Sequence, residues 1–166
     1  MKNYSDFEPK KSYTVDEAML KLMNYCVYQD RCHKEVEQKL YDMNMFEDAR
    51  NQIILKLIEE DFLNESRFAK SFARGKFRIK KWGKIRIVRE LKMKNISAFN
   101  IKLALKEIPD EDYFSTLNDL AEKRWNDIKD TSILKKKKKL ANYLFYRGWE
   151  SQLVYEKIHE LASAKK

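Results

Sequence analysis

Three helix ends in this chain repeat one signature, and no other feature restricts the fold as strongly. Leu40, Met43, Asn44 and Met45 line up with Leu91, Lys94, Asn95 and Ile96, and again with Leu144, Arg147, Gly148 and Trp149, so that the leucines stand 51 and 53 residues apart. Asn and Gly are the residues that best tolerate the left-handed conformation in which a helix often ends. The apolar residue that follows can then fold back on the helix it has just left. The chain has only three glycines and two prolines, too few for a many-stranded protein but enough for helices joined by short Asn or Gly corners. The expected architecture is all-α: three tandem three-helix modules in an elongated array, each too small to bury its own faces well and supported by its neighbours.

Helix signals place the modules. Residues 1–13 are polar, contain Pro9 and show no periodicity, so a flexible N-terminal tail is expected. Module one, residues 14–60, opens with Thr14 and Glu17 in the spacing of a capping box. Its apolar positions are Ala18, Leu22, Tyr25 and Cys26, then Val36, Leu40 and Met43, then Ile53, Ile54, Leu57 and Ile58. Module two, residues 61–109, has Asn64 as a cap, then Phe68, Ala69, Phe72 and Ala73, with Gly75 expected to weaken that helix. A helix over 83–94 follows, then one capped by Ser97 and stopped by Pro109. Module three, residues 110–166, carries Phe114, Leu117, Leu120, Ala121 and Trp125 on one long helix, followed by helices over 133–147 and 150–161.

The charge is concentrated in one place. The chain carries 35 Lys and Arg against 26 Asp and Glu, a net +9. Between Arg74 and Lys94 stand ten basic residues and one acid, Glu90, so this stretch accounts for the entire excess. Charge gathered in this way makes a local field that attracts polyanions. The candidate nucleic-acid contacts are Arg74, Lys76, Arg78, Lys80, Lys81, Trp82, Lys84, Arg86, Arg89, Lys92 and Lys94. At 100° per residue Ile85, Ile87, Val88 and Leu91 share one side of the second helix, with Arg86 and Arg89 opposite and directed outward. A second basic run, Lys135 to Lys139, offers Lys135, Lys136, Lys138 and Lys139 as further phosphate contacts, with Lys137 turned toward the core. The run reads equally as a solvated face balanced by Asp127 and Asp130. Most aromatic residues sit at core spacing, while Trp82 stands at a helix start, where a base could stack on it.

Other classes find little support. No apolar run reaches the length needed to span a bilayer, and the N-terminus has no apolar signal core, so a cytoplasmic protein is expected. Cys26 and Cys32 lack redox or metal-knuckle spacing and read as buried thiols. His33 and His159 lie in different modules, and no glycine-rich loop or nucleophile elbow occurs, so neither enzymatic activity nor a cofactor or metal is expected.

The run Phe62-Leu63-Asn64-Glu65, Arg67-Phe68-Ala69, Trp82-Gly83, Ile85, Glu90-Leu91 and Lys94-Asn95-Ile96 resembles the central module of the RecX family. Length and layout extend the resemblance over nearly the whole chain from residue 14. Asn95 stands where that family usually has Gly, and Asn64-Glu65 where it has an Asp pair; both changes keep the physical role. The resemblance implies a bacterial cytoplasmic protein that binds the RecA recombinase filament on DNA and restrains its ATP hydrolysis and strand exchange in recombination and repair; a monomer is expected. The residues alone also allow a general nucleic-acid-binding helical repeat with no dedicated protein partner.

Overall fold

The computed structural model describes residues 12–163; most of the expected N-terminal tail lies outside that range. Among the described residues there are nine α-helices and no strand, as the turn-poor sequence requires. The chain divides into two compact units between Glu65 and Ser66.

The first unit contains α1 (Val15–Tyr28), α2 (His33–Asp42) and α3 (Glu47–Glu59). The capping box at its start is formed: the Glu17 N–H donates to Thr14 Oγ1 at 3.2 Å, and Thr14 N–H donates to Glu17 Oε2 at 2.9 Å. Ala18, Leu22, Cys26, Val36, Leu40, Ile53, Leu57 and Leu63 form its core, and Cys32 is fully buried as well. Both thiols are therefore interior side chains.

The second unit contains nearly all of α4 (Glu65–Lys80), with α5 (Lys84–Met93), α6 (Ala98–Leu105), α7 (Asp110–Asp127), α8 (Ile133–Arg147) and α9 (Ser151–Ser163). Its interior is built on Phe68, Phe77, Ile87, Leu91, Tyr113, Leu117, Trp125, Leu144, Trp149 and Val154. Helix α4 runs unbroken through Gly75. One glycine costs about 1 kcal/mol relative to alanine, and burial of Ala73 and Phe77 on either side outweighs it.

The repeated corners have the anticipated geometry. Asn44, Asn95 and Gly148 have φ of 56°, 60° and 81°. In each case the next N–H turns back to the helix: Met45 to the Leu40 carbonyl at 3.2 Å, Ile96 to Leu91 at 3.1 Å, and Trp149 to Leu144 at 3.2 Å. Met45, Ile96 and Trp149 are buried. Two further left-handed residues, Asp61 and Lys81, follow α3 and α4; aspartate is among the types that tolerate this conformation, whereas lysine does not announce a corner.

Three apolar positions depart from the expected stripes. Ile58, Ile85 and Phe114 are exposed. On α7 the buried residue is Tyr113, one position earlier than the expected Phe114. Its ring enters the core because its hydroxyl finds polar partners there, as a buried tyrosine requires.

Those partners join α4–α6 to α7–α9. Lys84 N–H donates to Tyr113 Oη at 2.8 Å, and Tyr113 Oη–H donates to Glu150 Oε2 at 2.6 Å. The other leading amides of α5 reach the end of α8: Gly83 N–H to the Arg147 carbonyl at 2.9 Å, and Ile85 N–H to the Gly148 carbonyl at 3.1 Å. A helix leaves its first amides and last carbonyls without partners inside itself. Here α8 and α7 satisfy the start of α5, and α5 satisfies the end of α8. The backbones approach so closely that a Cβ on Gly83 would fall 2.3 Å from the Gly148 oxygen, and one on Gly148 would fall 2.3 Å from Arg86 Cβ.

Candidate nucleic-acid interface

Helices α4 and α5 place the basic stretch on the second unit, and burial sorts its cations into two groups. The first group is engaged within the protein. Arg74 Nη1 donates to Glu107 Oε2 at 2.8 Å, and Lys84 Nζ to Asp110 Oδ1 at 2.9 Å, with the Lys84 ammonium 4.4 Å from the Tyr113 ring centroid. Arg86 is the clearest case. Its Nη1 donates to the Tyr146 carbonyl at 2.9 Å, and its guanidinium carbon lies 4.1 Å from the Trp82 centroid and 4.8 Å from that of Tyr146. Its side chain is 16% exposed, against 62% for Arg89. The expectation that Arg86 points outward is thus corrected. The approach of Gly148 to α5 draws Arg86 under the end of α8, where it serves the carbonyl of the last helical turn.

The second group faces solvent. Arg78, Lys80, Lys81, Arg89 and Lys92 are exposed. Arg89 Nη2 lies 3.4 Å from Glu90 Oε1; for the other four, no carboxylate stands within ion-pair distance among the described residues. Lys81 and Lys80 lie at the end of α4, where the chain reverses through the left-handed Lys81. Between the two groups stand Lys76 and Lys94, half-buried on an aromatic patch. The Lys76 ammonium is 5.1 Å from the Phe72 centroid and 5.2 Å from that of Trp82, and the Lys94 ammonium is 5.8 Å from that of Phe68. Trp82 also meets Phe72 edge-on at 6.4 Å. Its ring is already engaged by Arg86 and Lys76, so it is less open for a base than its place at a helix start suggests.

The second basic run, on α8, is similarly divided. Lys135 and Lys138 are exposed. Lys139 Nζ donates to Asp130 Oδ2 at 2.9 Å, and that bond, followed by one from the Ser132 amide, holds the Asp130 carboxyl below its usual value. Lys136 and Lys137 are both half-buried. The ammonium seated on a core ring belongs to Lys136, 4.6 Å from the Trp125 centroid, whereas the sequence pattern turns Lys137 inward. One lysine of the run is thus paired with Asp130, and Lys135 and Lys138 remain in solvent.

Two other titrating groups show how this unit treats interior polarity. Burial, reinforced by the hydrogen bond to Glu150, pushes the Tyr113 phenol far above its ordinary value. Burial opposes the charge on Lys157, but hydrogen bonds to Glu160 at 3.0 Å and Glu122 at 3.1 Å outweigh it and leave that ammonium above the usual lysine value. Sequence reading missed Tyr113, Tyr146 and Glu107 as partners of the basic stretch. A polar ring or acid 20 to 60 residues away leaves no periodic trace.

A helical protein of tandem triplets with a cationic helix pair at its surface is the class that this geometry defines. Comparison with known proteins gives the family. The model of the second three-helix domain of RecX matches residues 64–105, and that of the third matches residues 110–158. The regulatory protein RecX of Clostridium acetobutylicum is 32% identical over 137 residues, covering 80% of this chain and 63% of the relative. That of Bacillus cytotoxicus is 26% identical over 151 residues, covering 91% and 56%. The chain therefore spans little more than half the length of these curated relatives. The crystal structure of RecX from Lactobacillus salivarius superposes with a TM-score of 0.76 at 30% identity, covering 89% of this chain and 96% of that one. This chain belongs to the RecX family, whose curated members are named as regulatory proteins. Among the described residues no helix is long and apolar enough to cross a membrane.

Proposed function

We propose that this protein is a cytoplasmic, monomeric modulator that binds the RecA recombinase filament on DNA and restrains its ATP hydrolysis and strand exchange. Membership of the RecX family supports the regulatory role. The nucleic-acid part rests on one observation: Arg78, Lys80, Lys81 and Lys92 are exposed on adjoining helices and no carboxylate among the described residues neutralises them. Cations placed in this way meet phosphates without regard to sequence, and each phosphate neutralised releases a counterion. The phosphate-facing role thus belongs to Arg78, Lys80, Lys81, Arg89 and Lys92, with Lys135 and Lys138 as a second patch, while Arg74, Lys84, Arg86, Lys136 and Lys139 hold the fold.

The test is a variant with Lys80, Lys81, Arg89 and Lys92 all changed to Ala, compared with the native chain for binding to bare DNA and for co-sedimentation with RecA filaments. The variant should bind DNA of any sequence more weakly. Its logarithmic salt dependence should flatten by about one unit for each phosphate no longer neutralised. Filament binding and restraint of ATP hydrolysis should fall together with DNA binding. If the filament is held as tightly as before while bare DNA is released, the basic face is not the docking surface.

A further inference from the structure

A second pair of arginines lies outside the basic stretch, on α7 and α8. The guanidinium carbons of Arg124 and Arg147 lie 5.2 Å and 3.8 Å from the centroid of one ring, Tyr143. Both side chains are half-buried, and both Nε atoms are buried without a hydrogen-bond partner. Among the described residues no carboxylate stands within ion-pair distance of either. Several other sheltered cations of the same unit have an acid beside them: Arg74 has Glu107, Lys84 has Asp110, Arg86 has Glu90 together with the Tyr146 carbonyl, and Lys157 has two glutamates, whereas Lys76 and Lys136 rest on rings alone and the Arg86 Nε is unpartnered too. Two like charges that share a ring repel each other, and each planar fork carries further N–H donors besides the buried Nε. An anion with several acceptor oxygens matches this donor set.

We propose that Arg124 and Arg147 form a phosphate-binding site. A phosphate presents oxygens to two guanidinium forks at once, which is the geometry arginine serves best. The surroundings favour a polyanion over an isolated carboxylate. Lys136, Tyr143 and Arg147 follow one another along the same face of α8, and the Arg147 carbonyl accepts the Gly83 amide at the start of α5. The pair therefore adjoins the basic stretch, and a nucleic-acid backbone crossing α4 and α5 would supply the phosphate. That choice of source rests on the function proposed above, whereas the phosphate chemistry does not.

The experiment follows the guanidinium Nε–Hε resonances of Arg124 and Arg147 in the full chain, assigned with Arg124→Lys and Arg147→Lys. A short oligothymidylate, inorganic phosphate or poly-glutamate is added at constant ionic strength. Oligothymidylate should move both resonances saturably. Arg124→Gln or Arg147→Gln should weaken its binding about three- to tenfold, and Lys at either position should restore only part, because an ammonium lacks the fork. Resonances that stay still, or that respond to poly-glutamate and not to oligothymidylate, overturn the proposal. Movement with inorganic phosphate alone upholds the phosphate chemistry and overturns the nucleic-acid source. If the variant lacking Lys80, Lys81, Arg89 and Lys92 binds oligothymidylate as well as the native chain, the basic stretch has failed as an interface. The Arg124 and Arg147 response is read independently of that result.

Discussion

The corners at Asn95 and Gly148 share a backbone conformation, yet they do different things. Asn95 is exposed, and its φ of 60° is a turn that asparagine tolerates. Gly148 is buried against α5, and its missing Cβ is the space that Arg86 occupies. One corner only reverses the chain; the other also joins two helical triplets. The same signature in the sequence therefore marks a local need at one site and a long-range contact at the other.

Exchanging the two residue types separates these needs. Gly148→Asn keeps a residue able to adopt the left-handed turn but drives a side chain into α5, and it should cost about 3 kcal/mol or more in denaturant unfolding. Asn95→Gly should change stability by only a few tenths of a kcal/mol. Equal effects at the two positions would break the comparison. Tyr113→Phe probes the same junction without crowding it. Removing the hydroxyl leaves Glu150 and the Lys84 amide without their shared partner, and the expected loss in thermal or denaturant melts is about 2 kcal/mol.

Arg86→Ala and Arg89→Ala form a third test. The former should lower stability by about 1 kcal/mol, because it removes the bond to the Tyr146 carbonyl and the stacking on two rings. The latter should leave stability within about 0.5 kcal/mol while weakening DNA binding, so the two variants should sort oppositely in melts and in salt titrations. The smallest effect is expected at Lys81, an exposed left-handed residue like Asn95. Lys81→Gly relieves its Cβ and should stabilise by about 0.5 kcal/mol, and the DNA salt dependence should flatten by about one unit.

What was legible in the sequence follows the range of the interaction. Helices, caps and corners depend on residues within five positions, and Thr14 with Glu17, Ser97, Asn44, Asn95 and Gly148 all behave as their types dictate. The cluster of charge was equally plain, because counting finds it. The division of that cluster was hidden. Helical periodicity places Arg86 beside Arg89 and cannot register that Tyr146, sixty positions later, offers its carbonyl to one of them. The inward turn of Tyr113 was hidden for the same reason. The left-handed Lys81 was missed because lysine carries no preference for that conformation.

The reciprocal capping of α5 and α8 has a consequence for how the protein is made. Synthesis runs from the N-terminus, and domains generally form in that order. Helix α5 carries much of the positive stretch, yet two of its leading amides are satisfied only by carbonyls at positions 147 and 148, and a third by Tyr113. Those groups are translated some 30 to 65 residues later. A nascent chain that ends after α6 would carry the cations with the start of α5 still unfinished, so the cationic surface acquires its final shape only when α7 and α8 have followed it out of the ribosome.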